Sequence, residues 1–118
     1  MNKRVLTVGE VNIDIILSGL AAIPQAEQDT LAQGLDTVVG GQTGTIARAL
    51  SHLGARVTFV GRVGDDDYGR MAVSHLEDDG VDPSGVVVDP SVGTGATVVL
   101  SSGTERAYAT YLGSISRT

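Results

Sequence analysis

At 118 residues the chain is the length of one domain, and folding at that size buries roughly two-thirds of the surface of the unfolded chain. Its composition, 42% hydrophobic and 19% charged, is that of a soluble globular protein, and a net charge of −6 with no basic cluster argues against nucleic-acid binding. The lack of cysteine excludes a disulfide framework, a thiol nucleophile and a thiolate metal site.

The start, Met1-Asn2-Lys3-Arg4 before Val5-Leu6-Thr7-Val8, imitates a signal peptide. Glu10, Asn12 and Asp14 break the apolar stretch, however, and no small-residue cleavage site follows. No run approaches the roughly 18 apolar residues of a membrane span. A cytoplasmic chain without membrane contact is expected.

In chain order, Val5–Val8 reads as a strand buried on both faces of a parallel sheet, closed by Gly9. Residues 13–17 continue in extended form up to Ser18-Gly19, and 31–39 reads as one or two further extended pieces. Thr43–Leu53 has helical spacing, with Ile46, Leu50 and Leu53 on one stripe and Gly54 at its end. Arg56–Val60 is a second buried strand, ended by Gly61. A second helix spans Asp65–Asp78, with Tyr68, Met71, Ala72 and Leu76 sharing a face, and Val86–Val88 is a third strand. The alternation β–α–β–α–β predicts a Rossmann-like parallel sheet with flanking helices. In the last third, Thr94–Leu100 and Glu105–Leu112 flank the turn signal Ser102-Gly103, which predicts a hairpin. The expected organisation is an α/β core (about 1–12 and 40–90) with a small second sheet from 13–39 and 93–113.

Two segments carry the chemistry. Asn12 and Asp14 lie two apart at the end of a strand, so in extended chain they point the same way. The carboxyl ends of such strands face the ligand crevice. A carboxylate that accepts hydroxyl protons and an amide that both donates and accepts suit a polyhydroxylated ligand. The alternative is a turn-forming Asx pair. Gly40-Gly41 opens the first helix, and without Cβ atoms its N–H groups are open to close approach at the positive end of the helix dipole. The alternative there is a structural turn capped by Thr43. Gly40-Gly41-Gln42-Thr43-Gly44 fits neither G-x-G-x-x-G nor a P-loop. Gly64-Asp65-Asp66-Asp67 reads as helix capping in preference to a metal loop, since the spacing and terminal glutamate of a calcium loop are missing. His52 and His75 stand alone on helices, with no partner at catalytic or ligand spacing.

Taken together, Gly9-x-x-Asn12-x-Asp14, Gly40-Gly41 through Leu53-Gly54-Ala55, Val60-Gly61-Arg62-Val63-Gly64-Asp65-Asp66-Asp67-Tyr68-Gly69, Gly80-Val81-Asp82 and Thr94-Gly95-Ala96-Thr97 resemble, in order, the N-terminal part of PfkB-type (ribokinase-like) carbohydrate kinases. The resemblance implies a ribokinase-like core, N-terminal half only, with a β-sheet lid over the sugar. It implies that Asn12 and Asp14 bind substrate hydroxyls and that the Gly40 and Gly41 backbone approaches the sugar. Gln42 would lie near it, and Thr97 and Val99 would cover it from the lid. Thr45 stands where the family carries a substrate-touching asparagine, and its hydroxyl is shorter and lacks the paired amide functions.

The family's later G-A-G-D segment, with its catalytic-base aspartate and anion hole, has no counterpart in 1–118. Neither does the ATP pocket. The resemblance therefore implies the substrate-binding and lid half of a sugar or nucleoside kinase. Mg-ATP would serve the intact enzyme without binding this chain, no catalytic residue lies here, and the lid strands would form a homodimer. A chain without groups around the moving phosphoryl is not expected to transfer it. Two other readings are a non-catalytic binding or dimerisation module and an independent nucleotide-binding domain, the latter weakened by the failed glycine fingerprints.

Overall fold

The computed structural model describes residues 3–117. In chain order its elements are β1 (Arg4–Val8), β2 (Asn12–Leu20), β3 (Gly34–Gly40), α1 (Gln42–His52), β4 (Arg56–Gly64), α2 (Asp67–Asp78), β5 (Asp82–Asp89), β6 (Ala96–Ser102), β7 (Arg106–Tyr111) and a 3₁₀ turn at Gly113–Arg117. They form two sheets. The first is three-stranded and parallel, in the order β1-β4-β5. The second is four-stranded and mixed, in the order β3-β2-β6-β7, with β2 and β6 parallel and both outer pairs antiparallel.

One apolar core joins the two sheets. Val57, Phe59 and Val63 from alternate positions of β4 pack with Ala47 of α1 and with Ala72 and Leu76 of α2. Val11, Ile13 and Val39, from the root of the second sheet, belong to the same cluster. Strand alternation therefore serves the core on one side of the parallel sheet, the side that both helices occupy.

The opposite side is open, which corrects the expectation that β1 is buried on both faces. Leu6 and Val8 are 64% and 65% exposed, and Val87 is half exposed. The helical stripe is corrected in part, since Leu50 packs against the core as expected. Leu53 is 82% exposed and Ile46 nearly half, while the buried residues of α1 are Gly44 and Ala47. Small residues let the helix come close: a Cβ on Gly44 would lie 3.1 Å from Val11 Cγ2. Gly61 does not end its strand. β4 runs on to Gly64, and the space a Gly61 side chain would fill holds the Phe59 ring edge and the Gly9 carbonyl. The hairpin turn is also centred one residue later than the Ser102-Gly103 signal, between Gly103 and Thr104. The Ser102 N–H donates to the Glu105 carbonyl (2.9 Å), and the Glu105 N–H to Ser102 Oγ (3.0 Å).

Asp66 fastens the second sheet to the core. It is the N-cap of α2 and accepts from the Gly69 N–H (2.8 Å), which bears out the capping role read from the aspartate run. Its carboxylate also accepts from the Thr94 N–H (3.0 Å) and hydroxyl (2.6 Å), and Thr94 Oγ1 in turn accepts from the Gly64 N–H (2.9 Å). Thr94 leads directly into β6. Burial opposes ionisation of Asp66, but the Thr94 hydroxyl, the Thr94 and Gly69 N–H groups and nearby Arg70 outweigh it and hold its pKa below that of an ordinary aspartate.

A depressed carboxylate stabilises the fold above the ordinary carboxylate range, and that contribution is lost as pH falls through the lowered value. Asp66→Ala is expected to cost about 1–2 kcal/mol in urea unfolding at pH 7 and to reduce the loss of stability below pH ~4. Unchanged stability at pH 7 would contradict the fastening role.

Candidate functional site

The register of the second sheet builds the site. β2 pairs with β3 so that Asn12 faces Gly40 and Asp14 faces Val38. On its other side β2 places Asp14 beside Thr97 of β6, and Thr97 faces Thr110 of β7. Residues directly paired across a sheet share a face, so Asp14, Thr97 and Thr110 form one polar row across three strands. The two threonine hydroxyls are hydrogen-bonded at 3.0 Å.

At the root of this row the chain has no room for side chains on the glycines. A Cβ on Gly40 would collide with Asp14 Oδ2 and lie 3.0 Å from Asn12 Oδ1. On Gly41, at φ +90°, it would lie 2.8 Å from Val11 Cα and 3.1 Å from the Asn12 N. Both crowding and the left-handed φ require glycine there. The Gly44 N–H donates to the Glu10 carbonyl (3.1 Å), which seats the first turn of α1 across the chain that leads into β2. No side chain caps this helix. Thr43 instead packs its side chain where Gly9 leaves space, so it is not the cap considered from the sequence. The positive end of the α1 dipole is thus free of a capping side chain beside the Asn12–Asp14 carboxamide and carboxylate.

Asn12 is 9% exposed. Its Nδ2–H donates to Asp14 Oδ1 at 3.4 Å, but its Oδ1 is buried with no hydrogen-bond partner among the described residues. A buried acceptor without a donor costs about 1–3 kcal/mol. It lies at the Gly40 corner, next to Asp14 Oδ2, and the pair presents acceptors for hydroxyl protons.

The structure therefore brings together Asn12, Asp14, Gly40 and Gly41, with Thr97 on the adjacent strand. Gln42 and Thr45 are exposed on the first turns of α1. Val99 is half-buried, one row further along the face that carries Thr97, and faces Tyr108. Among the described residues no hydrogen bond ties Gln42, Thr45 or Val99 to the Asn12–Asp14 pair. Thr110 was missed from the sequence, because its role in the row depends on hairpin register. A cavity of about 420 Å³, lined by Arg4, Arg56, Gly80, Asp82 and neighbours, lies at the amino edge of the parallel sheet. Among the described residues it holds no orphaned buried side-chain atom, and the unpaired carboxamide oxygen at the carboxyl edge is the stronger indication of a ligand.

A parallel α/β sheet with a mixed sheet rising from its carboxyl edge is a ribokinase-like fold. The model of the pfkB family of carbohydrate kinases matches residues 2–118. The chain belongs to that family. Fructokinase-1 of Zea mays is 37% identical over 110 residues, covering 92% of this chain and 32% of the maize protein. Arabidopsis thaliana ribokinase, solved with ribose and ATP, superposes with a TM-score of 0.88 at 26% identity, covering 97% of this chain and 37% of that one. Ribokinase of Cryptococcus neoformans var. grubii serotype A, solved with ADP, gives 0.79 at 29% identity, covering 95% and 35%. The chain thus spans about a third of the length of the relatives it matches. No described helix is long and apolar enough to cross a membrane.

The nucleotide implied by these relatives does not fit the Asn12–Asp14 corner. An orphaned carbonyl oxygen and a carboxylate would face the phosphate oxygens with acceptors where donors are needed.

Gly41→Ala is expected to destabilise the fold by roughly 1–3 kcal/mol, read by urea denaturation. Gly40→Ala should displace the Asp14 carboxylate and shift the side-chain amide resonances of Asn12. Wild-type stability in the first variant, or an unmoved Asn12 amide in the second, would contradict the corner described here.

Proposed function

We propose that this chain is the substrate-binding and lid half of an ATP-dependent sugar kinase, and that it grips a polyol through Asn12, Asp14 and the Gly40–Gly41 backbone. The observation that carries the reading is the buried, unpartnered Asn12 Oδ1 beside the Asp14 carboxylate, at a corner where only glycine fits. In this reading Asp14 accepts hydrogen bonds from substrate hydroxyls and Asn12 Oδ1 accepts one more. The uncapped start of α1 favours the electron-rich oxygens of the ligand. Fixing the hydroxyls in this way orients the acceptor alcohol for in-line attack. Gln42 and Thr45 border the ligand from α1, and Thr97 and Val99 close over it from the second sheet.

Nothing in this arrangement supplies a base for the attacking hydroxyl or donors for a triphosphate. Those groups, with Mg-ATP, are assigned to sequence outside residues 1–118, and this chain alone is proposed to be inactive. The sugar names of its relatives favour a fructose- or ribose-like substrate, with a nucleoside as the alternative.

A second reading, a non-catalytic pairing module, draws support from one feature. The second sheet has edge strands at β3 and β7 and exposes Leu35, Tyr108 and Tyr111. Those strands are the proposed homodimer contact.

Titration of the purified chain with D-fructose and D-ribose, followed by ligand-observed NMR, tests the first reading. Binding of at least one sugar is expected, weakened about tenfold or more by Asp14→Asn, with no ATP-dependent phosphorylation. Sugar binding that ignores the Asp14 substitution, or turnover by the chain itself, would refute it. Light scattering tests the second, which a clean monomer at high concentration would exclude.

A further inference from the structure

We propose that the hydrogen-bonded Thr97–Thr110 pair is a specificity element that favours a hexose over a pentose in the Asn12–Asp14 site. The inference rests on the sugar-binding reading above and goes beyond it in naming Thr110 and the length of the ligand.

Geometry carries the argument. Asp14, Thr97 and Thr110 occupy successive strands at one level of one sheet face. At about 5 Å per strand, the row offers polar groups over roughly 10 Å from the Asp14 strand to β7. The next level of this face is mainly apolar, with Ile16, Val99 and Tyr108 in register beside Asp36. The Val38 side of Asp14 is apolar as well. Across the strands, the polar groups therefore continue from Asp14 toward β7 and not toward β3.

The hydroxyl pair has capacity left for a ligand. Each threonine hydroxyl is one donor with two acceptor lone pairs. One O–H is spent in the 3.0 Å bond between them, and the other remains free as a donor. Asn12 Oδ1 and Asp14 supply acceptors at the root of the row, and the threonine pair adds a donor at its far end. A polyol anchored on Asp14 meets Thr97 first. Reaching the shared hydroxyls toward β7 takes a further carbon with its hydroxyl, which a hexose has and a pentose lacks.

A cross-strand threonine pair also stabilises sheets in its own right. That role alone would not alter the ratio of affinities for two sugars. The decisive readout is therefore this ratio, measured for D-fructose and D-ribose by ligand-observed NMR on the whole chain. Thr110→Val preserves shape and β-branching, and Thr110→Ser restores the hydroxyl.

The expected result is tighter binding of fructose by the wild-type chain. Thr110→Val should weaken fructose about three- to tenfold and leave ribose within about twofold, and Thr110→Ser should recover most of the loss. Equal weakening of both sugars, or no change in either, overturns the inference and leaves the sugar-binding reading standing. A wild-type chain that binds neither sugar, or sugar binding unaffected by Asp14→Asn, overturns that reading and this inference with it.

Discussion

The antiparallel pairing of β2 with β3 holds Asn12 opposite Gly40, and the rest of the site depends on that contact. A slip of one residue would turn Asn12 and Asp14 to the other side of the sheet and bring Ile13 out of the core. The register is fixed from both directions. Ile13 and Val39 are buried on the core side, and on the opposite side the bare Gly40–Gly41 chain lies too close to β2 for any larger residue. The same contact that anchors the second sheet therefore brings a carboxylate and a buried, unpaired amide oxygen together at one corner.

Much of this was legible in the sequence because it rests on local patterns. The two-residue spacing of Asn12 and Asp14, the double glycine before a helix and the aspartate cap of α2 each follow from short-range chemistry, although Asn12 and Asp14 open β2 of the second sheet and do not end a strand of the parallel sheet as expected. What was not legible depends on tertiary packing or on register. The apolar stripe of Ile46, Leu50 and Leu53 has helical spacing, yet the helix docks on Gly44 and Ala47, because small residues permit the closer approach. A two-residue turn at Ser102-Gly103 would set Thr97 opposite Tyr108. The turn closed by Ser102 and Glu105 is centred one residue later, which sets it opposite Thr110 and creates the threonine pair. The Thr94–Asp66 bonds link residues 28 apart in sequence, and no periodicity announces them.

The parallel sheet shows how one chain can be well packed and still present an unfinished surface. One face is closed by two helices around Phe59. The other exposes Leu6, Val8 and Val87, apolar side chains of the kind that parallel strands ordinarily bury on both sides. Continuous apolar strands are the sequence signature of two-sided burial, and β1 and β5 carry it. This surface fits the proposal that the catalytic and nucleotide-binding groups come from sequence beyond 1–118. The polar site lies on the second sheet and at the carboxyl edge, so its geometry does not depend on the open face.

The most direct test of the central claim is a crystal structure of the chain with bound D-fructose or D-ribose. The account predicts a sugar hydroxyl within hydrogen-bond distance of Asn12 Oδ1, a second on Asp14 Oδ2, and the ring against the Gly40–Gly41 backbone. A sugar bound elsewhere, with the Asn12 oxygen still unpaired, would contradict it.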